Sequence, residues 1–176
     1  MAKWTIDPTH SEVGFKVKHL MISTVSGKFT QFNGEIESSS DEDFSGSKIS
    51  FSADVNSIDT GMEMRDNHLK SDDFFNAEKF PHLSFTSTSF EKTGSDKYLM
   101  KGHLTLRDVT LPVTLQVTYS GTMVDFYGNQ KAGFEISGSI NRQEFGLKWS
   151  ATTEAGGIVV SDEVKLNLDI QVQKSA

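Results

Sequence analysis

Along most of this chain apolar and polar residues alternate with a period of two, the pattern of strands whose successive side chains point to opposite faces of a sheet. In "VGFKVKH" the residues Val13, Phe15, Val17 and His19 share one face, with Gly14, Lys16 and Lys18 on the other. "KISFSADV" sets Ile49, Phe51, Ala53 and Val55 against Lys48, Ser50, Ser52 and Asp54. "YLMKGHLTL" aligns Tyr98, Met100, Gly102, Leu104 and Leu106, with Leu99 out of phase. "LPVTLQVTY" aligns Leu111, Val113, Leu115, Val117 and Tyr119, and "FEISGSI" aligns Phe134, Ile136, Gly138 and Ile140. "VKLNLDIQV" does the same for Val164, Leu166, Leu168, Ile170 and Val172. One dry and one wet face per strand predicts antiparallel sheets with a solvated side, and so an all-β fold. The Gly, Asn, Asp and Ser residues of Glu91–Lys97, Asp125–Gln130 and Thr153–Gly157 predict hairpin loops. The polar, acidic stretch "SSSDEDFSGS", Ser38–Ser47, reads as a solvated loop.

Alternation by itself allows a closed barrel or a two-sheet sandwich. The pattern breaks at "MRDNHLKSDDFFNAEKFPHLSF", Met64–Phe85. In the preceding "SIDTGME", Thr60 and Glu63 fit a capping box, which predicts a helix over 61–71. Pro81 then leads into a strand near Leu83. In a barrel this helix would cover one end, with Met62, Met64 and Leu69 toward the interior and Phe74, Phe75 and Phe80 anchoring the segment after it.

At 176 residues the chain is expected to form one domain. Its 24 acidic against 17 basic residues, net charge -7, lack the footprint of a nucleic-acid binder. The absence of cysteine removes disulfides, thiolate nucleophiles and cysteine-bound metals. No run approaches the ~20 apolar residues of a membrane-spanning helix, so stable membrane insertion is not expected. The N-terminal "MAKWTIDPTHSE" lacks an apolar stretch of signal-peptide length, so a cytoplasmic location is expected, or a periplasmic one if a leader has been removed.

Chemistry-bearing residues are few. Arg65, Asp66 and His68 fall in the predicted helix, but Asp66 and His68 are not on one face, and no His-x-x-x-His or Glu-x-x-His pair suggests a metal. No Gly-x-Ser-x-Gly elbow sits between a strand and a helix. No catalytic residue, metal or cofactor is therefore assigned. His19 is in phase with the dry face, as a buried imidazole or as a polar anchor for a ligand head group.

Four blocks in this order resemble the YceI-like lipid-binding proteins, a family of lipocalin-like fold. They are "IDPTHSEVGFKVKHLMISTVSGKF" (Ile6–Phe29), "RDNHLKSDDFFNAEKFPHLSF" (Arg65–Phe85), "LTLRDVTLPVTL" (Leu104–Leu115) and "INRQEFGL" (Ile140–Leu147). Asn76 stands where the family pattern has Asp, and Asp108 where Gly is common. The resemblance implies an extended antiparallel β-barrel with one short helical insertion and a long tunnel for an isoprenoid or similar amphiphile. It also implies homodimerisation as an expectation.

The dry faces supply such a tunnel. Phe15, Val17, Phe51, Phe85, Met100 and Leu104 would line its first half, and Leu115, Val117, Phe134, Ile136, Leu166 and Leu168 the second. The expected partner is a hydrophobic small molecule, an isoprenoid, isoprenoid quinone or acyl lipid. His19, Arg65, His68 and Arg142 are the candidates for holding its head group, Arg142 pairing alternatively with Glu144 or Asp162. A stress-related packed barrel without a ligand, and an enzyme using His19 or His68 as base, are the competing readings.

Overall fold

The computed structural model describes residues 2–20, 22–149 and 160–175, so the turn predicted at Thr153–Gly157 lies outside the described residues. The strands are β1 (Ala2–Ile6), β2 (Glu12–His19), β3 (Ser23–Phe29), β4 (Phe32–Ser38), β5 (Lys48–Asp54) and β6 (Ile58–Asp59). After helix α1 (Glu63–Lys70) come β7 (His82–Gly94), β8 (Lys97–Leu106), β9 (Val109–Val124), β10 (Gln130–Asn141) and β11 (Val160–Lys174). β1, β4, β5 and β7 through β11 pair in that order, and β1 closes on β11, making an eight-strand antiparallel barrel.

Closure depends on β11, which is long enough to hold two partners. Near its C-terminal end it pairs with β1, Ile6 opposite Val172, and over the rest with β2, Leu166 opposite Phe15. β1 and β2 are thus successive parts of one wall element, broken at the 3-10 turn Pro8–His10. β4 beside β1 and β3 beside β2 form a second broken element, and β5 with β6 a third, bent at Val55–Ser57. The rest is a simple meander of neighbours.

Asp7 holds the first break. Its Oδ1 accepts from the Thr9 backbone N–H (3.1 Å) and hydroxyl (2.7 Å), and its Oδ2 from Lys131 Nζ of β10 (3.1 Å). His10 Nδ1 lies 2.9 Å from the same Oδ2. The Asx-type bond sets the turn, and the lysine ties it across to the far side of the chain.

The loop between β4 and β5 departs from the expectation of a solvated segment. Phe44 is fully buried inside the barrel end, its ring 5.0 Å from Phe134, 5.4 Å from Tyr119 and 5.5 Å from Trp4. The polar residues around it serve this insertion: Tyr98 Oη accepts from the Phe44 N–H, Ser47 Oγ donates to the Phe44 carbonyl, and Ser38 accepts from Trp4 Nε1. One aromatic ring among acidic residues leaves water for the apolar space within its reach.

α1 covers the opposite end and starts later than predicted, without a side-chain cap on Met62. Thr60 is engaged otherwise: its hydroxyl donates to Asp66 Oδ1 and accepts from Arg65 Nε at 2.7 Å, while its carbonyl takes Arg65 Nη2 at 2.7 Å. Leu69 faces inward as expected. Met62 and Met64 do not; they are 52% and 81% exposed. The segment after α1 is anchored by buried Phe74 and by Arg107, which donates to the carbonyls of Asp72 and Phe74 and to the Asp72 carboxylate. Asn76 takes a left-handed backbone, φ 49°, which asparagine tolerates better than most residues.

Burial alone would push the Asp7 carboxyl up, but the hydrogen bonds from Thr9, His10 and Lys131 outweigh it and hold the group well below the ordinary carboxylate range. A depressed folded-state pKa gives stabilisation that is complete above the unfolded value of about 4 and is lost as pH falls toward the folded value. Asp7→Asn is expected to cost about 1–2 kcal/mol at neutral pH, with the gap to wild type narrowing below about pH 4. Urea unfolding at both pH values checks this; a gap that stays constant would show that charge is not what Asp7 contributes.

Candidate functional site

The inward faces enclose one apolar cavity of about 350 Å3. β2 contributes Phe15 and Val17, β5 Phe51, β7 Phe85, and β8 Met100 and Leu104. Leu115 and Val117 of β9, Phe134 and Ile136 of β10, and Leu166 and Leu168 of β11 complete the wall. All twelve residues chosen from the dry faces therefore line one space, because a barrel turns every inner face toward the same axis. The lining extends to residues that alternation did not single out. Phe90 is one: a register shift between Ser87 and Ser89 in β7 moves it onto the inner face, where strict alternation would put it outside. Ile6 and Ile36 were legible as inward positions of short strands, whereas Leu147 and Trp149 come from irregular backbone with no period to read.

What keeps this interior open is a set of inward glycines. A Cβ on Gly27 would lie 2.4 Å from the Phe15 ring, one on Gly102 2.5 Å from the Phe85 ring, and one on Gly138 2.5 Å from Leu115 Cδ2. At Gly34 it would meet Ile6 Cδ1 at 2.7 Å. Each glycine lets a large neighbour lie flat against the wall and leaves the axis free.

Glu35 of β4 and Ser50 of β5 line the cavity farther along, and the polar residues singled out from the sequence line it at the α1 end. His19 closes β2 in the cavity lining, and its ring has no hydrogen-bond partner among the described residues. Arg65 uses Nε and Nη2 on Thr60, while its Nη1 has no partner among the described residues. His68 Nε2 lies 2.8 Å from Asp73 Oδ2, its ring edge-on to Trp149 at 4.9 Å and to Phe74 at 5.1 Å.

Arg142 also reaches the cavity wall but is committed elsewhere. It is 3% exposed and donates to the carbonyls of Leu147 (2.6 Å), Trp149 (2.7 Å), Ser161 (2.9 Å) and Val160 (3.2 Å), with Asp162 at 3.7 Å. Burial pushes its pKa down and Asp162 opposes this. Its fork fastens the segment after β10 to the start of β11, and a head group would have to displace those bonds to use it. Of the two acidic partners foreseen for it, Asp162 is the one in reach.

Chemically the site can bury hydrocarbon and present cations at one end. Among the described residues no group of three or more His, Asp or Glu is placed to hold a metal ion.

The YceI-like domain family matches residues 4–172. A UPF0312 protein of Staphylococcus aureus strain USA300 is 35% identical over 166 residues, 94% of each chain. The crystal structure of a YCEI protein from Campylobacter jejuni superposes with a TM-score of 0.77 at 32% identity, covering 97% of this chain and 96% of that one. Two more distant structures share the fold. One is Burkholderia cenocepacia BcnA, TM-score 0.81 at 23% identity, covering 94% of this chain and 98% of that one. The other is a polyisoprenoid binding domain from Saccharophagus degradans, TM-score 0.71 at 16% identity, covering 98% of both.

If the glycines hold the lumen open, filling one should be felt through its neighbour. Gly138→Ala is expected to destabilise by about 1–3 kcal/mol through overpacking against Leu115. A double-mutant cycle with Leu115→Ala should show coupling of about 0.5 kcal/mol or more in urea unfolding. Additive effects would mean that Leu115 does not depend on the space Gly138 leaves.

Proposed function

The chain belongs to the YceI-like domain family, and on that premise we propose that it binds one long-chain amphiphile inside its barrel: an isoprenoid, an isoprenoid quinone or an acyl lipid. The observation that supports this most is the cavity itself, walled mainly by apolar side chains, with His19, Arg65 and His68 in its lining at the α1 end and Glu35 and Ser50 in its lining farther along. Its volume falls within the ~300–1,000 Å3 of small-molecule sites. Burial returns ~0.8 kcal/mol per CH2, so a dozen carbons give roughly 8–10 kcal/mol before the costs of ordering the ligand. Affinity then needs no hydrogen bond, and selectivity among chains is loose.

Head-group choice falls to the polar end. Arg65 leads, because its Nη1 has no partner among the described residues and a guanidinium suits carboxylate and phosphate oxygens. His19 and His68 stand beside it, His68 with one ring nitrogen already facing Asp73. Arg142 supports the wall rather than the ligand. Carriage, storage and sensing are all served by such a site, and binding without chemistry is the reading its residues favour. A cytoplasmic location remains part of the proposal.

Native mass spectrometry of protein purified from its own host, followed by solvent extraction, is the direct test. A discrete adduct of isoprenoid or acyl mass is expected. A bare chain that also refuses added prenyl and acyl lipids would favour a ligandless barrel. Leu115→Trp, which fills the lumen, is expected to weaken binding about tenfold or more, and unchanged affinity in a folded variant would remove Leu115 from the site.

A further inference from the structure

The outer surface carries a charge pattern that lipid burial does not use. On the solvent face of β2, Lys16 stands directly opposite Lys165 of β11, an arrangement of like charges that costs stability. Lys18 lies two positions further toward the α1 end, bonded to Thr24, and Lys28 lies across on β3. All four lysines are exposed, and none is in an ion pair among the described residues. Farther from the α1 end the same face turns acidic, with Glu12 opposite Asp169. Asp59 stands directly opposite Lys28, and Glu163 lies two positions before Lys165 on β11. A chain of net charge -7 thus keeps a basic lobe on the side of its cavity where the cationic lining lies.

The tip of that lobe is apolar. After His19 the chain turns through Leu20, 40% exposed, and Ile22, 85% exposed. Leu20 adopts φ 55°, a conformation that a bulky side chain enters only at a cost. Met62 and Met64 stand out into solvent on either side of Glu63, just before Arg65 reaches the cavity. Burial would normally claim these four side chains.

From these we infer that the α1 end is a docking surface for an anionic lipid bilayer. Lys16, Lys18, Lys28 and Lys165 meet the head groups, and Leu20, Ile22, Met62 and Met64 enter the interface. Charge complementarity selects the occupant. The acidic remainder of the chain is repelled by an anionic surface, so the molecule is turned with its basic lobe and cavity end toward it. The inference rests on the lipid-binding reading for its purpose, since a cargo of low solubility then passes between membrane and lumen without crossing water. The docking itself is measurable independently.

The test is co-flotation of the full chain with vesicles, zwitterionic or about one-third anionic phospholipid, at about 50 and about 300 mM salt. Wild type is expected to float with anionic vesicles at low salt, and much less with zwitterionic vesicles or at high salt. Ile22→Asp, and separately Lys16→Gln with Lys165→Gln, should each reduce partition about fivefold or more at an unchanged thermal midpoint. Phe126→Asp at the other end, where Phe126 is 98% exposed, should leave it unchanged. No flotation on anionic vesicles, equal flotation on both kinds, or equal loss in Phe126→Asp would overturn the docking. Binding of a fluorescent fatty acid delivered from detergent, run in parallel, separates the two readings. Intact probe binding without flotation rejects the membrane surface alone; flotation without probe binding leaves the surface standing and rejects the lipid cavity.

Discussion

The structure depends on one strand with two partners. β11 bonds β1 at one end and β2 over the rest of its length, and both the closure of the barrel and the break in its first wall element follow from that division. Closure of β1 on β11 removes the sheet edge around that part of the lumen, while toward the α1 end β3 pairs on its second side only at Lys28 and Phe29, with β6. The breaks absorb the changes of direction. They need polar devices of their own, such as the Asp7 cluster and the bond from Thr30 N–H to the Ser57 carbonyl.

An apolar interior wider than a packed core is under pressure to fill itself, because empty space forfeits dispersion contacts. Two features resist this here. The inward glycines let Phe15, Phe85, Leu115 and Ile6 lie along the wall, and rigid pairs such as Phe15 with Phe29, 5.8 Å apart, hold one another in place. The ends are then shut by different means, a single inserted ring at Phe44 and a helix with its trailing segment at the other. Sealing by Phe44 is tight and polar-anchored. The α1 end is the one where His19, Arg65 and His68 line the cavity.

Much of this was legible from alternation. All-β class and the twelve wall residues followed from the period of two, and family resemblance chose the barrel over the sandwich. The failures have physical causes. Phe44 was hidden because a single aromatic in an acidic loop has no period, and Phe90 because a bulge changed its parity. Met64 lies five positions before the inward Leu69, about 140° round the helix, and so faces solvent, while Met62 precedes α1 altogether. Thr60 looked like a cap from spacing alone, and only the fold shows its hydroxyl donating to Asp66 while accepting from Arg65. Arg142 looked like Arg65 in sequence, since burial and the proximity of four carbonyls are tertiary facts.

The contrast between those two arginines bears directly on function. A guanidinium surrounded by carbonyls of its own chain is a brace: its donors are spent, its charge is compensated by dipoles, and moving it would strand those carbonyls. Arg65, also in the cavity lining, is bonded through Nε and Nη2 to Thr60, and its Nη1 has no partner among the described residues. Fixing one edge of a planar fork removes much of the rotamer entropy that a head group would otherwise have to overcome. Thr60, itself bonded to Asp66, thus fixes the side of Arg65 that carries Nε and Nη2. The same logic explains why cations can be tolerated at the end of an apolar cavity. Arg65 keeps its bonds to Thr60 there, so its charge is not left without polar partners.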